Sequence, residues 1–244
     1  INTINYSYDT IWKDKLISYN NKAITYDELG NPLTYGDKNS ISEEYREYEW
    51  QGKQLVSCTI LNKDNNPDTD VKYVYTYNGD GLRSSKISYD CDDAGTVDIT
   101  SAIRTEYLWK DGKLIYLWVS PKFEANEHSE ALSIKYLYDE NDEPYGMITN
   151  GSNVFYFIKN LQGDIERIVT SDCKTRMITY SYDAWGNMTY EFNSSDIQTM
   201  IGSMEMLANN VVTYRGYTYD FETGLYYLQS RYYSPEWGRF LNAD

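Results

Sequence analysis

Alternation of apolar and polar residues with a period of two dominates the chain. Residues 71–77 read VKYVYTY, which places all three tyrosines on one face of a strand, because successive side chains point to opposite faces. Residues 78–81, NGDG, then supply positions that tolerate positive φ, and residues 82–89 return as the partner strand. The pattern predicts a β-hairpin.

The same hairpin unit recurs along the chain, spaced by roughly 18 to 37 residues. In most copies a Tyr-Asp pair precedes a turn that contains glycine, and in a variant a Trp precedes the turn, as at Trp50 and Trp109. The repeat positions are Tyr8, Asp9, Tyr26, Asp27, Gly30, Tyr182, Asp183, Gly186 and Asn187. The repetition predicts an all-β protein of tandem hairpins that form a curved or spiral sheet, part of a shell.

One segment departs from this pattern. Apolar residues at helical spacing predict a short amphipathic helix over 196–208, with a methionine stripe that packs in a core. We therefore divide the chain into a repeat region, 1–192, and a C-terminal region, 193–244, that contains the helix and a distinct motif.

Tyrosine accounts for 27 of the 244 residues, roughly three to four times its ordinary share. A tyrosine ring buries apolar area while its hydroxyl remains able to bond to water, which suits a sheet with a thin core and wet faces. An aromatic carbohydrate-binding platform is the competing interpretation, with Trp50, Trp109 and Trp118 as its candidate residues. Exposure of the rings distinguishes the two.

The formal charge of −15 disfavours nucleic-acid binding, because the chain would repel phosphate. The charge indicates a solvated surface or a basic partner. No apolar run approaches the roughly 18 residues that span a bilayer, so we expect no membrane insertion. The chain begins with Ile1, from which we expect a fragment or a processed chain.

Candidate chemistry is sparse. The single histidine, His128, lies in a polar stretch, and Cys58, Cys91 and Cys173 are widely spaced, so we expect no nucleophile–histidine arrangement, zinc site or cofactor. The disulfide state of the three cysteines stays open. Two acidic stretches, 64–70 and 90–95, resemble the start of a calcium loop but lack its terminal glutamate.

The C-terminal motif reads YRGYTYDFETGLYYL from Tyr214, then RYYSP from Arg231 and GRFLNAD from Gly238. Its glycines mark tight turns. Its arginines, Arg215, Arg231 and Arg239, have planar guanidinium groups that can pair with Asp220 or Glu222 or stack on tyrosines. We predict a buried or half-buried Arg–carboxylate–Tyr network that fixes the final hairpins.

These residues resemble the YD repeats and the Rhs-associated core of Rhs and wall-associated proteins. The resemblance is strongest from Tyr214 onward, good over 153–190 and approximate upstream, and Ser234 stands where the family usually has Asp. The matched motif positions are Arg215, Gly216, Tyr217, Tyr219, Asp220, Glu222, Thr223, Gly224, Leu225, Tyr226, Tyr227, Arg231, Tyr232, Tyr233, Pro235, Gly238, Arg239 and Phe240.

The resemblance implies a segment of a secreted or cell-surface bacterial polymorphic toxin, whose β-shell encloses a C-terminal toxin or effector. Many such cores cleave themselves with aspartates, and Asp244 aligns with the first of these, so the protease site is expected to be incomplete here. We therefore expect no enzyme activity from the chain alone. Other partners to consider are a surface glycan or receptor and, through an open sheet edge, another copy of the chain.

Overall fold

The computed structural model describes residues 3–40, 42–62, 70–120, 132–193 and 210–242. They form two antiparallel sheets in which every strand pairs with its neighbours in sequence. The first sheet, here the repeat sheet, has sixteen strands in the order β1 to β16; the second has four, β17 to β20. The predicted all-β class and tandem hairpins are confirmed.

The strands of the repeat sheet are β1 Tyr6–Tyr8, β2 Leu16–Tyr19, β3 Lys22–Tyr26, β4 Pro32–Tyr35, β5 Tyr45–Gln51, β6 Gln54–Leu61, β7 Val71–Tyr77, β8 Arg83–Asp90, β9 Ile103–Lys110, β10 Lys113–Ser120, β11 Leu132–Tyr138, β12 Pro144–Thr149, β13 Asn153–Lys159, β14 Ile165–Thr170, β15 Arg176–Tyr182 and β16 Met188–Phe192. The second sheet has β17 Thr218–Asp220, β18 Leu225–Tyr227, β19 Tyr232–Ser234 and β20 Arg239–Phe240. Short 3-10 turns lie at Ile99–Ser101 and Tyr214–Gly216.

Some sequence predictions lie outside the described residues: the helix over 196–208, His128, Asp244 and most of the acidic stretch 64–70. The division of the chain at 192 stays a prediction. In the part that is described, the repeat sheet ends at Phe192 and the second sheet begins at Thr218. No helix among these residues is long and apolar enough to cross a membrane.

The aromatic residue before a turn has a specific hydrogen bond. The hydroxyls of Tyr77, Tyr138 and Tyr182 donate to the carbonyls of Leu55, Leu114 and Ile165, at 2.7, 3.0 and 2.8 Å. The indole N–H groups of Trp50 and Trp109 donate in the same way to Pro32 and Arg83, at 2.6 Å each. Each acceptor lies at the start of the preceding strand. The bond thus joins each strand to the strand before it. At Trp50, Tyr77 and Tyr138 a bulge lies on the other side, in the pairing with the following strand.

The core lies between the two sheets. We call the face of the repeat sheet that contacts residues 210–242 its inner face, and those residues the C-terminal unit. One cluster joins Leu16, Tyr35, Leu55 and other residues of the early strands to Leu225, Tyr227, Tyr232, Trp237 and Leu241 of that unit. A second joins the later strands to Val211 and Val212. Because both clusters include the C-terminal unit, it packs against early and late strands alike.

Candidate functional site

The interface between the inner face and the C-terminal unit is centred on one buried ion pair. The Nη1 and Nη2 atoms of Arg83 donate to the two carboxylate oxygens of Asp220 at 2.6 and 2.8 Å. The side chains are 0% and 1% exposed. Arg83 begins β8 and Asp220 ends β17, so this bidentate pair joins the two sheets.

Aromatic rings enclose the Arg83 guanidinium. Its Cζ atom lies 4.6 Å from the centroid of the Tyr75 ring and 4.4 Å from that of Tyr227. The rings of Tyr107 and Tyr232 lie further out, at 5.6 and 5.7 Å. Such cation–π contacts compensate part of the lost hydration.

The protonation of Arg83 follows from its neighbours. Burial alone would lower its pKa, but the Asp220 carboxylate and the tyrosine hydroxyls outweigh that effect and hold the pKa well above its ordinary value. Burial also raises the pKa of the Tyr75 hydroxyl well above its usual range. The Arg83 guanidinium is therefore charged, and the Tyr75 phenol neutral, at any physiological pH.

A second ion pair lies next to the first. Lys86, also on β8, bonds to the Glu222 carboxylate, and both side chains are mostly buried. Burial lowers the Lys86 pKa, but Glu222 more than offsets this, so that the pKa is raised overall. Arg46 on β5 donates from Nη1 to the Thr223 carbonyl at 2.8 Å. Three cations of the repeat sheet thus contact residues 220–223.

Hairpin turns of the repeat sheet also bind the C-terminal unit, through the last residue of each turn. Asn242 Nδ2 donates to Asn31 Oδ1 at 2.6 Å, and Asn187 Nδ2 donates to the Pro235 carbonyl at 3.2 Å. In the turn before β14 the corresponding residue is Asp164, whose Oδ1 accepts from the Arg215 N–H at 3.1 Å. These turns join β3–β4, β15–β16 and β13–β14.

The chain is similar to known proteins in sequence and in fold. The chain is 28% identical over 242 residues to the tRNA3(Ser)-specific nuclease WapA of Bacillus spizizenii and to the tRNA nuclease WapA of Bacillus subtilis strain 168. Each match covers 99% of this chain but only 8% of the relative. The putative uncharacterized protein YibJ of Escherichia coli K12 is 36% identical over 63 residues, 26% of this chain and 22% of that protein.

Among solved structures, the crystal structure of TcdB2-TccC3 matches 99% of this chain and 16% of its own, with a TM-score of 0.52 and 14% identity. At that identity the likeness shows the fold alone. No protein-family model matches the chain. The chain is Rhs/YD-repeat-like.

The motif arginines of this YD-repeat-like chain have one of the two predicted kinds of contact: Arg215 lies over a tyrosine ring, but Asp220 and Glu222 have other partners. Asp220 and Glu222 pair with Arg83 and Lys86 of the repeat sheet, so the expected pairing within the motif is wrong. Arg231 lies over the Phe240 ring, with Cζ 3.8 Å from its centroid. Arg239 donates to the Asp14 carbonyl at 2.6 Å, and the exposed Arg215 lies over Tyr214. These arginines make aromatic and backbone contacts because the buried carboxylates face the sheet.

Several tyrosine hydroxyls of the C-terminal motif form hydrogen bonds with the repeat sheet, not with the arginines of the motif. The Tyr232 hydroxyl lies 2.7 Å from that of Tyr77, and the Tyr227 hydroxyl accepts from the Arg83 N–H at 2.9 Å. Tyr226 and Tyr233 donate to the carbonyls of Gly186 and Trp185 in the β15–β16 turn, at 2.9 Å each. The phenols therefore connect two separate hairpins, β7–β8 and β15–β16, to one unit.

Two glycines permit this close approach. Gly186 has φ of 89°, and a Cβ there would lie 3.0 Å from the Tyr214 ring. Gly238 has φ of 64°, and a Cβ there would lie 3.2 Å from Trp185. At Ser234, where the resemblance leads one to expect Asp, the hydroxyl accepts from the Trp237 N–H at 3.1 Å. The serine therefore still caps this turn.

Two of the three tryptophans proposed for a glycan platform face the C-terminal unit. Trp50 and Trp109 pack edge-on against Tyr232 and Tyr227, with centroids 6.0 Å apart in each pair. Trp118 is half-buried and stacks on Tyr116 of the same strand, at 4.3 Å. A platform made of all three is therefore excluded.

Arg83 and Lys86 were absent from the sequence-based candidates. The sequence does contain a feature that could have identified them. Both are cations on β8, which pairs with β7 and β9, the strands that carry the inward-facing tyrosines Tyr75 and Tyr107. Cys58 and Cys91 are buried thiols and Cys173 an exposed one; none of the three forms a disulfide. The described residues contain no group of three or more potential metal ligands.

Proposed function

We propose that the chain is a structural segment of a longer secreted or cell-surface Rhs/YD-repeat protein, and that its sheet forms part of a wall around a C-terminal effector. The observation that carries the proposal is the seating of the C-terminal unit on the inner face, with contacts from the β3–β4 turn to the β15–β16 turn. A unit bound so widely fixes the curvature of the wall.

The segment itself is proposed to be non-catalytic. The relatives are named tRNA nucleases, but this chain spans 8% of their length, and nuclease activity in such a protein would belong to other residues. A net charge of −15 also suits a wall better than a tRNA-binding surface. Self-cleavage at Asp244 is a separate proposal.

The test uses the longest native polypeptide that contains this segment. Limited proteolysis with mass spectrometry should show that sequence C-terminal to the motif resists protease, and that Asp220→Asn, which weakens the seating of the C-terminal unit, increases its cleavage. Glu47→Gln, at an exposed ion pair, serves as the control. Equal protease sensitivity of wild type, variant and unfolded protein would refute enclosure.

The same sample tests self-cleavage. A discrete C-terminal fragment that disappears in Asp244→Asn would assign a catalytic role to Asp244. An intact chain in both samples would leave the wall proposal in place and remove the protease.

A further inference from the structure

The repeat sheet has a second face, opposite the inner face, which we call its outer face. The register of β10 to β13 places a row of side chains there: Tyr116 is opposite Lys135, Lys135 is opposite Ile148, and Ile148 is opposite Val154. Directly opposed residues of an antiparallel pair share a face. Tyr136, the neighbour of Lys135 along the chain, is buried in the core on the inner face, so the row points outward.

Two pairs of aromatic rings lie on this outer face. Tyr116 and Trp118 stack with ring centroids 4.3 Å apart and an interplanar angle of 20°. Tyr145 and Tyr156 are also nearly parallel, at 6.4 Å and 23°. A Cβ at Gly146 would lie 3.2 Å from Tyr156 Cδ1, so this ring lies against bare backbone. The rings therefore lie in two flat pairs, on β10 and on β12–β13.

The cations on the same face lack acidic partners. Lys135 and Arg167 are exposed, Arg167 is opposite Ile158 of β13, and neither cation forms an ion pair with a described residue. On the earlier strands, by contrast, Lys72 and Arg104 each pair with a glutamate. The strands β10 to β13 contain no aspartate or glutamate. We call this aromatic and positively charged surface the outer patch; its members are Tyr116, Trp118, Lys135, Tyr145, Tyr156 and Arg167.

This combination of groups fits a sugar polymer that has carboxylates. The negative face of an aromatic ring attracts polarised C–H groups, which a pyranose ring presents on its own faces. Ammonium and guanidinium groups bind carboxylates through charge-assisted hydrogen bonds. The net charge of −15 does not oppose this locally, because charges more than about 8 Å apart are largely screened at physiological ionic strength.

Other anionic polymers fit the outer patch less well. A nucleic acid has one phosphate per nucleotide, and two unpaired cations on an acidic chain would neutralise few of them. The aromatic anchors of protein interfaces fill pockets, whereas these rings lie flat on a sheet. Of the three tryptophans considered for a glycan platform, Trp118 alone belongs to this surface.

We propose that the outer patch binds an acidic polysaccharide, with its rings against the sugar faces and Lys135 and Arg167 on the carboxylates. The inference goes beyond the proposed wall function, because it concerns the opposite face of the sheet and holds whether or not the chain encloses an effector.

The test is calorimetric titration of the chain with a galacturonic acid decamer at low ionic strength. The fully methyl-esterified decamer, which has the same sugars without their charge, should bind about tenfold more weakly or less. Lys135→Glu should weaken binding of the acidic decamer by about tenfold or more. Lys13→Glu makes the same charge change at an exposed residue of the β1–β2 turn, and should weaken binding by about twofold or less.

A second pair of variants tests the rings. Tyr156→Leu keeps an apolar side chain but removes the aromatic face, and should weaken binding by about threefold or more. Tyr8→Leu makes the same change at a tyrosine of β1 that is 45% exposed, and should leave binding unchanged.

Several outcomes would overturn the proposal. They are no binding by the wild-type chain, equal weakening by Lys135→Glu and Lys13→Glu, and binding of a glutamate decamer as tight as that of the sugar decamer, which would show a response to charge alone. Tighter binding of a thymidine decamer would indicate a nucleic acid instead. Lys135 is exposed and has no ion pair within the described part of the chain, so Lys135→Glu should unfold near the wild-type temperature.

Discussion

At the scale of single residues, the tyrosine hydroxyl explains why the repeat uses Tyr where many sheets use Val or Ile. The hydroxyl of the tyrosine before a turn satisfies a carbonyl at the start of the preceding strand, and the indole N–H of tryptophan does the same. Phenylalanine would fill the same space and leave that carbonyl without its donor.

We expect Tyr138→Phe to lower the free energy of unfolding by about 1 kcal/mol, because the bond to the Leu114 carbonyl is lost at a half-buried site. Urea denaturation measures the change. The matched control is Tyr145→Phe, since Tyr145 is exposed and its hydroxyl makes no hydrogen bond to a described residue. Equal effects of the two substitutions would show that the hydroxyl bond contributes nothing specific.

Breaking the Arg83–Asp220 ion pair should reduce the free energy of unfolding more than Tyr138→Phe does. Asp220→Leu should lower the free energy of unfolding by about 3 to 5 kcal/mol, because it leaves a fully buried guanidinium without its carboxylate. Replacing both residues, Arg83→Met with Asp220→Leu, should recover much of that loss, since no isolated charge remains.

Chemical denaturation of both single variants and the double variant completes this cycle. The control is Glu47→Leu at the exposed Lys38–Glu47 pair, where a loss of about 1 kcal/mol or less is expected. A double variant as unstable as the sum of its two single variants would contradict direct coupling between Arg83 and Asp220.

At the scale of the hairpin, the conserved feature within this chain is an acidic or amide side chain that caps the turn. Asp139 Oδ1 accepts from the backbone N–H groups of Asn141 and Glu143 at 2.9 Å each. Asn78 caps its own turn in the same way, from Asp80 and Leu82. The turn therefore requires an acceptor oxygen rather than a charge.

The pH dependence of stability distinguishes a requirement for an acceptor oxygen from a requirement for a negative charge. The backbone bond from Glu143 is the main cause that lowers the Asp139 pKa below its ordinary value. A lowered pKa contributes stability above the unfolded value, and that stability is lost as the pH falls through the folded value. Asp139→Asn should keep the melting temperature at pH 7 and show a smaller decrease at acid pH.

Asp139→Ala should lower the melting temperature at both pH values, since it removes the acceptor itself. Thermal unfolding at pH 7 and pH 3 compares the three proteins. Identical acid behaviour of wild type and Asp139→Asn would show that this carboxylate does not couple to folding.

How far sequence alone predicts this fold depends on the range of the interaction. Period-two alternation and turn residues identify hairpins such as β7–β8 and β15–β16, because both signals act within one hairpin. The Arg83–Asp220 pair joins residues 137 positions apart. The sequence around Arg83 or Asp220 does not identify the other as its partner. The arginines of the C-terminal motif are closer to Asp220 in sequence than Arg83 is, but they contact other groups.

At the scale of the whole molecule, the two ends of the repeat sheet differ from its interior. Among the described strands, β1 and β16 each have a partner on one side only, while the fourteen strands between them are paired on both sides. On β1, Tyr6 and Tyr8 are 44% and 45% exposed, whereas the interior tyrosines Tyr75 and Tyr136 are buried. An edge strand with exposed rings is a template for pairing with another strand.

We therefore expect the chain to self-associate as its concentration rises, through β1. Ser7→Lys places a charge in the middle of that edge strand and should weaken association, because lysine on an edge opposes strand addition. Ser181→Lys makes the same charge change on β15, an interior strand, and should leave association near that of the wild type. Sedimentation equilibrium over a wide concentration range compares the two variants with the wild type. A wild-type chain that stays monomeric would contradict self-association, and equal effects of the two lysines would show that association does not occur through β1.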